Sequence, residues 1–121
     1  MSLPDPYPTV IYKICPAAAW REAERVRFFL GAPIDLADGF IHFSTAGQVQ
    51  ETAARHFHGQ PDLVLVAVDA RVLGDALRYE PSRGGALFPH LYGPLPAEAA
   101  RWVRPLALGT DGVPVIPELE P

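Results

Sequence analysis

The sequence of 121 residues contains a single cysteine, Cys15, and no long apolar run. One thiol cannot form an internal disulfide, so the apolar core must hold the fold together. No apolar stretch approaches the roughly 18–20 residues that cross a bilayer, and Met1–Pro6 lacks the basic and apolar regions of a signal peptide. We therefore expect a cytoplasmic protein with no membrane partner.

Basic residues are also few. The chain has 10 Lys and Arg residues and 14 Asp and Glu residues, which gives a formal charge of −4 and a pI near 5.4. Non-specific binding of nucleic acid requires a basic surface and is not expected here. A small nucleotide-like or phosphorylated ligand needs only one or two positive groups and is compatible with this charge. The oligomeric state is left open.

Apolar residues make up 49% of the chain, enough for a sizeable core, and there are 14 prolines. This is more than twice the average proline frequency of roughly 5%. Many prolines stand beside apolar residues and mark turns, whereas a disordered chain would contain fewer apolar residues. Length and composition predict one domain over residues 1–121.

Hydrophobic periodicity places helices early in the chain. We expect a strand over Val10–Cys15, a helix from Pro16 to Leu30 that stops at Gly31, a connection over Ala32–Gly39, a strand over Phe40–Ser44, and a helix that starts in a capping box at Thr45–Gln48 and ends by Gly59.

Strands dominate the later part. The clearest is Asp62–Asp69, whose unbroken apolar run suggests a central position covered on both faces. There follow a turn over Val72–Leu77, a strand over Leu77–Glu80, a helical turn within Pro96–Arg101, an extended segment over Trp102–Leu108 and a hairpin turn at Thr110–Gly112. The order predicts an α+β fold with a mixed sheet and two main helices in the N-terminal half.

The segment Arg78–Pro94 is the richest in functional groups, because it carries a carboxylate, a guanidinium, a hydroxyl, an imidazole and a phenol. Its glycines and prolines predict a non-repetitive backbone. Connections in small domains are usually about 4–6 residues long, and a longer, chemically rich loop is more often a binding loop than a spacer.

The strand Phe40–Ser44 is the expected partner of this loop. Alternation places Phe40, His42 and Ser44 on one side and the apolar Ile41 and Phe43 on the other, so the polar pair should face a cleft. A helix begins directly afterwards, where free amides and the helix dipole favour anions. The alternative is a structural histidine beside an ordinary cap.

Two charged residues of the loop have functional and structural interpretations. Glu80 could accept a proton or hold a sugar hydroxyl, or form a salt bridge to Arg78 or Arg83. Arg83 suits a phosphate group, or is a solvated loop charge. Lys13, in the first strand, lies either at a sheet edge or in a cleft.

Metal binding and nucleophilic catalysis have weaker support. His42, His56, His58 and His90 are possible ligands, but neither an HExxH motif nor a cysteine pair is present. Cys15 is expected to be a buried apolar residue, and Ser44 lacks the GxSxG elbow.

Four segments carry a family resemblance: IYKI before a helix with a tryptophan, DGFIHFSTAGQVQETA, DLVLVAVD, and RYEPSRGGALFPHLYGPL. With them the chain, from Val10 to about Leu108, resembles the bacterial family of unknown function DUF952. The resemblance implies the ADP-ribosylation fold, a split mixed sheet that holds NAD in a cleft.

The chain is also distantly similar to RNA 2′-phosphotransferases, through His42-Phe43-Ser44, Val64–Ala70 and Tyr79–Leu87. This similarity implies that His42 and Ser44 contact the NAD ribose and phosphates, and that Lys13 takes a first-strand position where relatives often carry His or Arg. The chain lacks the several arginines that phosphotransferases use on RNA phosphate, and Glu80 lies before the loop instead of in a Gln/Glu-x-Glu motif.

The leading hypothesis is an enzyme of the ADP-ribosyl type with NAD as co-substrate and no metal. His42 and Glu80 would be catalytic, the carboxylate steadying a developing oxocarbenium ion. The expected cofactor-binding residues are Lys13, Ser44, Thr45, Gln48, Ser82, Arg83, Gly84, Gly85, Phe88, His90 and Tyr92. The alternatives are a non-catalytic module for a nucleotide, phosphorylated metabolite or sugar, and a metal-dependent hydrolase at His42 and His90.

Overall fold

The structure is a computed structural model that describes residues 7–82 and 84–119. In chain order the elements are β1 (Val10–Pro16), α1 (Ala17–Val26), β2 (Phe28–Phe29), α2 (Pro33–Asp38), β3 (Ile41–His42), α3 (Val49–His56), β4 (Leu63–Asp69), β5 (Leu77–Ser82), β6 (Ala86–Leu91), β7 (Leu95–Pro96) and β8 (Ala100–Leu106). The predicted α+β class is confirmed. Across the described residues, no helix has the length and apolar character needed to cross a membrane.

β4 is the middle strand of a three-stranded sheet with the order β1-β4-β8. Val66 lies opposite Lys13 on one side and opposite Val103 on the other. The side chains from Leu63 to Val68 are all buried, because other elements cover both faces of the sheet. The prediction of a central, doubly covered strand is confirmed.

A second three-stranded sheet has the order β3-β6-β5, and β2 pairs separately with β7. The two larger sheets meet at a bridge between Tyr12 and Ser44, whose backbone hydrogen bonds measure 2.8 and 2.9 Å. The strands therefore form a split arrangement with one narrow connection between its halves.

All pairings among the described strands are antiparallel, which corrects the predicted mixed sheet. A parallel neighbour needs a crossover that returns the chain to the same end of the sheet. The chain between β1 and β4 does not form such a crossover, because β4 runs in the direction opposite to β1. Local periodicity contains no information on this direction.

The first sheet separates two apolar clusters. Ile11 packs with Trp20 of α1 on one side, and Ile14 packs with Val49 of α3 on the other. Because strand side chains alternate, Lys13 projects to the same side as Ile11. The lysine is thus directed into the interior between the two sheets, and its strand β1 is also an edge strand of its sheet, so both predicted positions apply to it.

The first helix is shorter than predicted. Arg27 takes a left-handed conformation with φ 80° and ends α1, after which Phe28 and Phe29 pair with β7. Leu30 lies beyond this end and is 64% exposed, so its assignment to the buried face of the helix is wrong. Strand pairing with a distant segment overrides the local helical spacing.

The predicted connection over Ala32–Gly39 contains α2, which is also a correction. Pro33 occupies the start of the helix, where the missing N–H has no intrahelical partner to lose. The Asp35 carboxylate accepts a hydrogen bond of 2.7 Å from the backbone N–H of Ala32. Proline and glycine therefore lie at the two ends of a short helix here, and they do not mark a loop.

The predicted non-repetitive loop over Arg78–Pro94 is wrong for most of its length. β5 and β6 form an antiparallel hairpin that pairs Leu77 with Leu91 at one end and Ser82 with Ala86 at the other. Pro81 is tolerated because β5 is an edge strand, where an N–H that faces solvent is not needed.

The second predicted helix begins later than expected, at Val49. The Gln48 side chain accepts a 3.0 Å hydrogen bond from the Thr45 N–H, which is one half of the predicted capping box. The amides of Gln48 and Val49 donate to the Thr45 carbonyl, so this segment forms a turn before the helix. Ala53 of this helix is fully buried.

Candidate functional site

A cavity of about 580 Å³ lies between the two sheets. Its polar walls include Lys13 of β1, His42 of β3 and His90 of β6, and Phe43 and Phe88 contribute apolar surface. The volume is in the range of about 300–1,000 Å³ that is typical of small-molecule sites. The cavity is the place where the two chemically rich segments of the sequence meet.

A carboxylate that the sequence interpretation missed lies beside this cavity. Asp35, on α2, is 1% exposed and holds the Lys13 ammonium with distances of 3.0 Å to Oδ1 and 2.9 Å to Oδ2. It also accepts from the backbone N–H of Ala32 at 2.7 Å and of His42 at 3.0 Å. The buried charge is therefore satisfied on both of its oxygens.

The same carboxylate orients His42, whose Nδ1 lies 2.6 Å from Asp35 Oδ1. Burial by itself would raise the pKa of Asp35, but the His42 hydrogen bond and the charge of Lys13 together lower it to about 2. Burial lowers the pKa of Lys13, and the charge and hydrogen bond of Asp35 offset only part of this effect. Asp35 is thus ionised throughout the neutral range.

His42 is bound by carboxylates at both ring nitrogens. Besides the Asp35 contact at Nδ1, Nε2 lies 2.9 Å from Oδ2 of Asp38, four residues earlier on α2. An ionised carboxylate only accepts, so the two contacts are complementary to a ring with a hydrogen on each nitrogen. In that form His42 is an imidazolium ion that places a positive charge on the cavity wall.

His90 is held in a different way. Its Nδ1 lies 2.8 Å from Glu80 Oε1, which also accepts a 2.6 Å hydrogen bond from the Tyr92 hydroxyl. These bonds, first that of Tyr92 and then that of His90, lower the pKa of Glu80. Glu80 is therefore an acceptor, and Nδ1 of His90 is the protonated nitrogen.

The two histidines are direct neighbours. His42 and His90 are register partners in the β3–β6 pair, and their ring centroids are 5.5 Å apart at an interplanar angle of 70°. The Phe40 ring packs on both, 4.6 Å from His42 and 4.1 Å from His90. Since the cavity is lined by both histidines and not by Phe40, the phenyl ring supports the pair from behind.

Some of the other predicted site residues line the cavity, and others lie next to it. Ser44 lines the cavity and its hydroxyl lies 2.8 Å from that of Thr52, while Ser82 also lines the cavity. Gln48 donates from its side-chain amide to the Leu87 carbonyl at 2.7 Å and ties α3 to the hairpin.

Several predicted residues do not form the cavity wall. Thr45 lies in the turn before α3, Glu80 and Tyr92 lie behind His90, and Gly84 and Gly85 lie at the hairpin tip with φ of 81° and 96°. Arg83 falls outside the described residues. The roles assigned to all of these residues stay predictions.

Asp35 and Phe40 were missed for different reasons. Proline at the first helical position with an acidic residue two places later is typical of a helix start, so the sequence did contain a signal for α2 and for Asp35 as its cap. Phe40 was assigned only to a face of its strand, because contact with a ring on another strand is a non-local property.

The histidines also bear on the metal hypothesis. In the part of the chain that the structure describes, no three His, Cys, Asp or Glu side chains are grouped so that they could hold a metal ion. His56 lines the cavity, whereas His58 lies at the surface with Nε2 3.0 Å from the Asp111 carbonyl.

The backbone at Gly31 packs closely on Asp35. It has φ +122°, and an added Cβ would lie 2.8 Å from the Asp35 Cβ. We expect Gly31→Ala to lower the free energy of unfolding by about 1–3 kcal/mol through backbone strain, and further by displacing Asp35. Urea unfolding measures the loss.

Gly39→Ala is the matched control. Gly39 also has positive φ, at +85°, but no neighbouring atom lies within 4 Å of an added Cβ, so the substitution introduces strain alone. Equal losses in the two variants would show that close packing on Asp35 contributes nothing.

Comparisons of the sequence and the structure with known proteins identify similar proteins. The family model described as "Protein of unknown function (DUF952)" matches residues 14–103. The crystal structure of protein CC0527 from Caulobacter crescentus is 52% identical, covers 88% of this chain and 94% of that chain, and has a TM-score of 0.86. Its solution NMR structure is 53% identical, covers 88% and 91%, and has a TM-score of 0.79. No curated protein matches the chain.

Proposed function

The chain belongs to the DUF952 family of unknown function, and from that premise we propose that its cavity binds NAD or a related nucleotide. The observation that carries this proposal is the convergence of His42 and His90 from two strands on one cavity beside Lys13. The site combines positive charge for phosphate groups with aromatic surface for a planar ring.

Each part of such a ligand has a complementary group. The His42 imidazolium would bind the pyrophosphate, since charge-assisted hydrogen bonds to anions are stronger than neutral ones. Phe88, which is buried in the cavity wall, would contact the base or the nicotinamide ring. The Ser44 hydroxyl would contact a ribose or phosphate oxygen.

The proposal extends to an ADP-ribosylation-like fold and a distant relation to RNA 2′-phosphotransferases. Two three-stranded sheets with a cavity between them support it. On this basis the first candidate activity is transfer of ADP-ribose from NAD, with release of nicotinamide. Glu80 would act through His90, because its carboxylate binds that ring.

Isothermal titration with NAD and with ADP-ribose tests the binding. We expect His42→Ala to weaken binding by roughly 10- to 150-fold, since a hydrogen bond to a charged group contributes about 1.5–3 kcal/mol. His58→Ala is the matched control, because His58 does not line the cavity. Absence of measurable heat with both ligands at millimolar concentration would defeat the proposal.

A non-catalytic binding module is the second candidate, and one observation favours it. Glu80 is not part of the cavity wall, and its Oε1 is engaged by Tyr92 and His90, so this carboxylate does not face the ligand. Mass spectrometry of NAD incubated with the protein separates the candidates, because only the enzyme releases nicotinamide.

A further inference from the structure

We propose that the histidine pair catalyses phosphoryl transfer in small ribonucleotide phosphodiesters, with His90 as the general base and His42 as the general acid. The inference rests on the proposed function, since it requires a nucleotide in the same cavity. It specifies the bond that reacts and the hydroxyl that attacks.

The two rings have different partners. His42 has a carboxylate within hydrogen-bond distance of each nitrogen, an arrangement that suits a general acid with a hydrogen on both. His90 has a carboxylate only at Nδ1, and among the described residues no group hydrogen-bonds its Nε2. These partners assign the acid role to His42 and the base role to His90.

The two rings can contact one substrate from the same wall of the cavity. Their centroids are 5.5 Å apart, the ring planes are nearly perpendicular, and both rings line the cavity while Phe40 closes the opposite side. Asp38 is 43% exposed at its side chain, so an incoming oxygen can replace it at His42 Nε2. Asp35 is buried and keeps the ring in position meanwhile.

The reaction balances without a further reactant. The ribose 2′-hydroxyl attacks the 3′-phosphorus, and its proton passes to Nε2 of His90 as the new P–O2′ bond forms. The P–O5′ bond breaks, and the leaving oxygen takes the Nε2 proton of His42. The products are a 2′,3′-cyclic phosphate and a free 5′-hydroxyl. The acidic surface favours a small substrate over a long polyanion.

The test uses uridylyl-(3′,5′)-adenosine, with release of adenosine and of the cyclic phosphate followed by chromatography and mass spectrometry. Asparagine keeps a donor near the Nδ1 position but has no counterpart of Nε2, so His90→Asn and His42→Asn remove the reacting nitrogens selectively. We expect each variant to reduce the rate by about 10²- to 10⁴-fold. His58→Asn should retain the wild-type rate.

The pH profile of the rate provides a readout that a structural role would not change. The ionisable groups around the pair come from every neighbouring element. They are Lys13, Asp35 and Asp38 near His42, Arg78, Glu80 and Tyr92 near His90, and Tyr12 and His56 on the cavity wall. We expect a bell-shaped profile for the wild type, with one limb lost in each asparagine variant.

Three results overturn the inference. No cleavage of the dinucleotide while NAD or ADP-ribose still binds overturns it and leaves the proposed function intact. Equal cleavage by the wild type and both asparagine variants assigns the activity to a contaminating nuclease. No binding of any nucleotide removes both proposals together.

Discussion

Replacing Asp35 with asparagine is expected to lower the free energy of unfolding by about 3–5 kcal/mol, the usual cost of removing one partner from a buried ion pair. Lys13, which is 4% exposed, would keep a desolvated charge without an opposite charge beside it. Chemical denaturation at pH 7 measures the loss. Asp38→Asn is the control, since Asp38 also contacts His42 but is largely exposed.

A double variant separates the ion pair from the wider network of Asp35. Lys13→Met with Asp35→Leu removes both charges, so we expect it to recover part of the stability lost in Asp35→Asn. Recovery should be incomplete, because the amides of Ala32 and His42 lose their acceptor. A loss in Asp35→Asn no larger than that in Asp38→Asn would contradict the role given to this carboxylate.

The pH dependence of stability should differ between the wild type and Asp35→Asn. The folded pKa of Asp35, at about 2, is below its ordinary value, so its contribution is complete above about pH 5 and is lost as the pH falls through about 2. Asparagine does not titrate, and the variant should lack this part of the acid-dependent loss.

Trp20→Ala is expected to cost about 3–5 kcal/mol, because it removes the largest ring from the cluster beneath α1. Trp20 is 2% exposed and packs against Phe29 with ring centroids 5.9 Å apart. Thermal and urea unfolding measure this loss. Nucleotide binding should persist in the folded fraction, since Trp20 does not line the cavity.

Trp20→Phe is the informative companion. The indole Nε1 is buried and has no hydrogen-bond partner in the described structure, so phenylalanine removes an unsatisfied donor together with part of the ring. We expect a loss well below that of the alanine variant. Val26→Ala, at an exposed position of α1, should change stability by less than about 0.5 kcal/mol. Equal losses for the phenylalanine and alanine variants would show that packing of the indole does not decide the cost.

Two errors in the sequence interpretation have a common physical origin. Proline and glycine punctuate the chain at Ala32–Gly39 and within Arg78–Pro94, and both segments were taken as irregular. In the structure Pro33 starts a helix and Pro81 lies on an edge strand, two positions where the missing N–H leaves no partner unsatisfied. Proline limits which backbone positions are possible, and neighbouring elements select among them.

The amino-acid sequence alone determined the features that depend on local periodicity. The central strand Leu63–Asp69, the first strand and the alternation that buries Ile41 and Phe43 all follow from side chains projecting to opposite faces of an extended chain. Burial of an apolar side chain is favourable whichever residues it packs against, so these features can be predicted from the sequence before the fold is known.

Only the tertiary structure decided what surrounds the two histidines. The register of β3 on β6 places His42 opposite His90, and α2 brings Asp35 between Lys13 and His42. These contacts join segments distant in the chain, and their energies depend on burial and on which charges share a low-dielectric space. No local pattern encodes that neighbourhood, because it is created only when the two sheets close around the cavity.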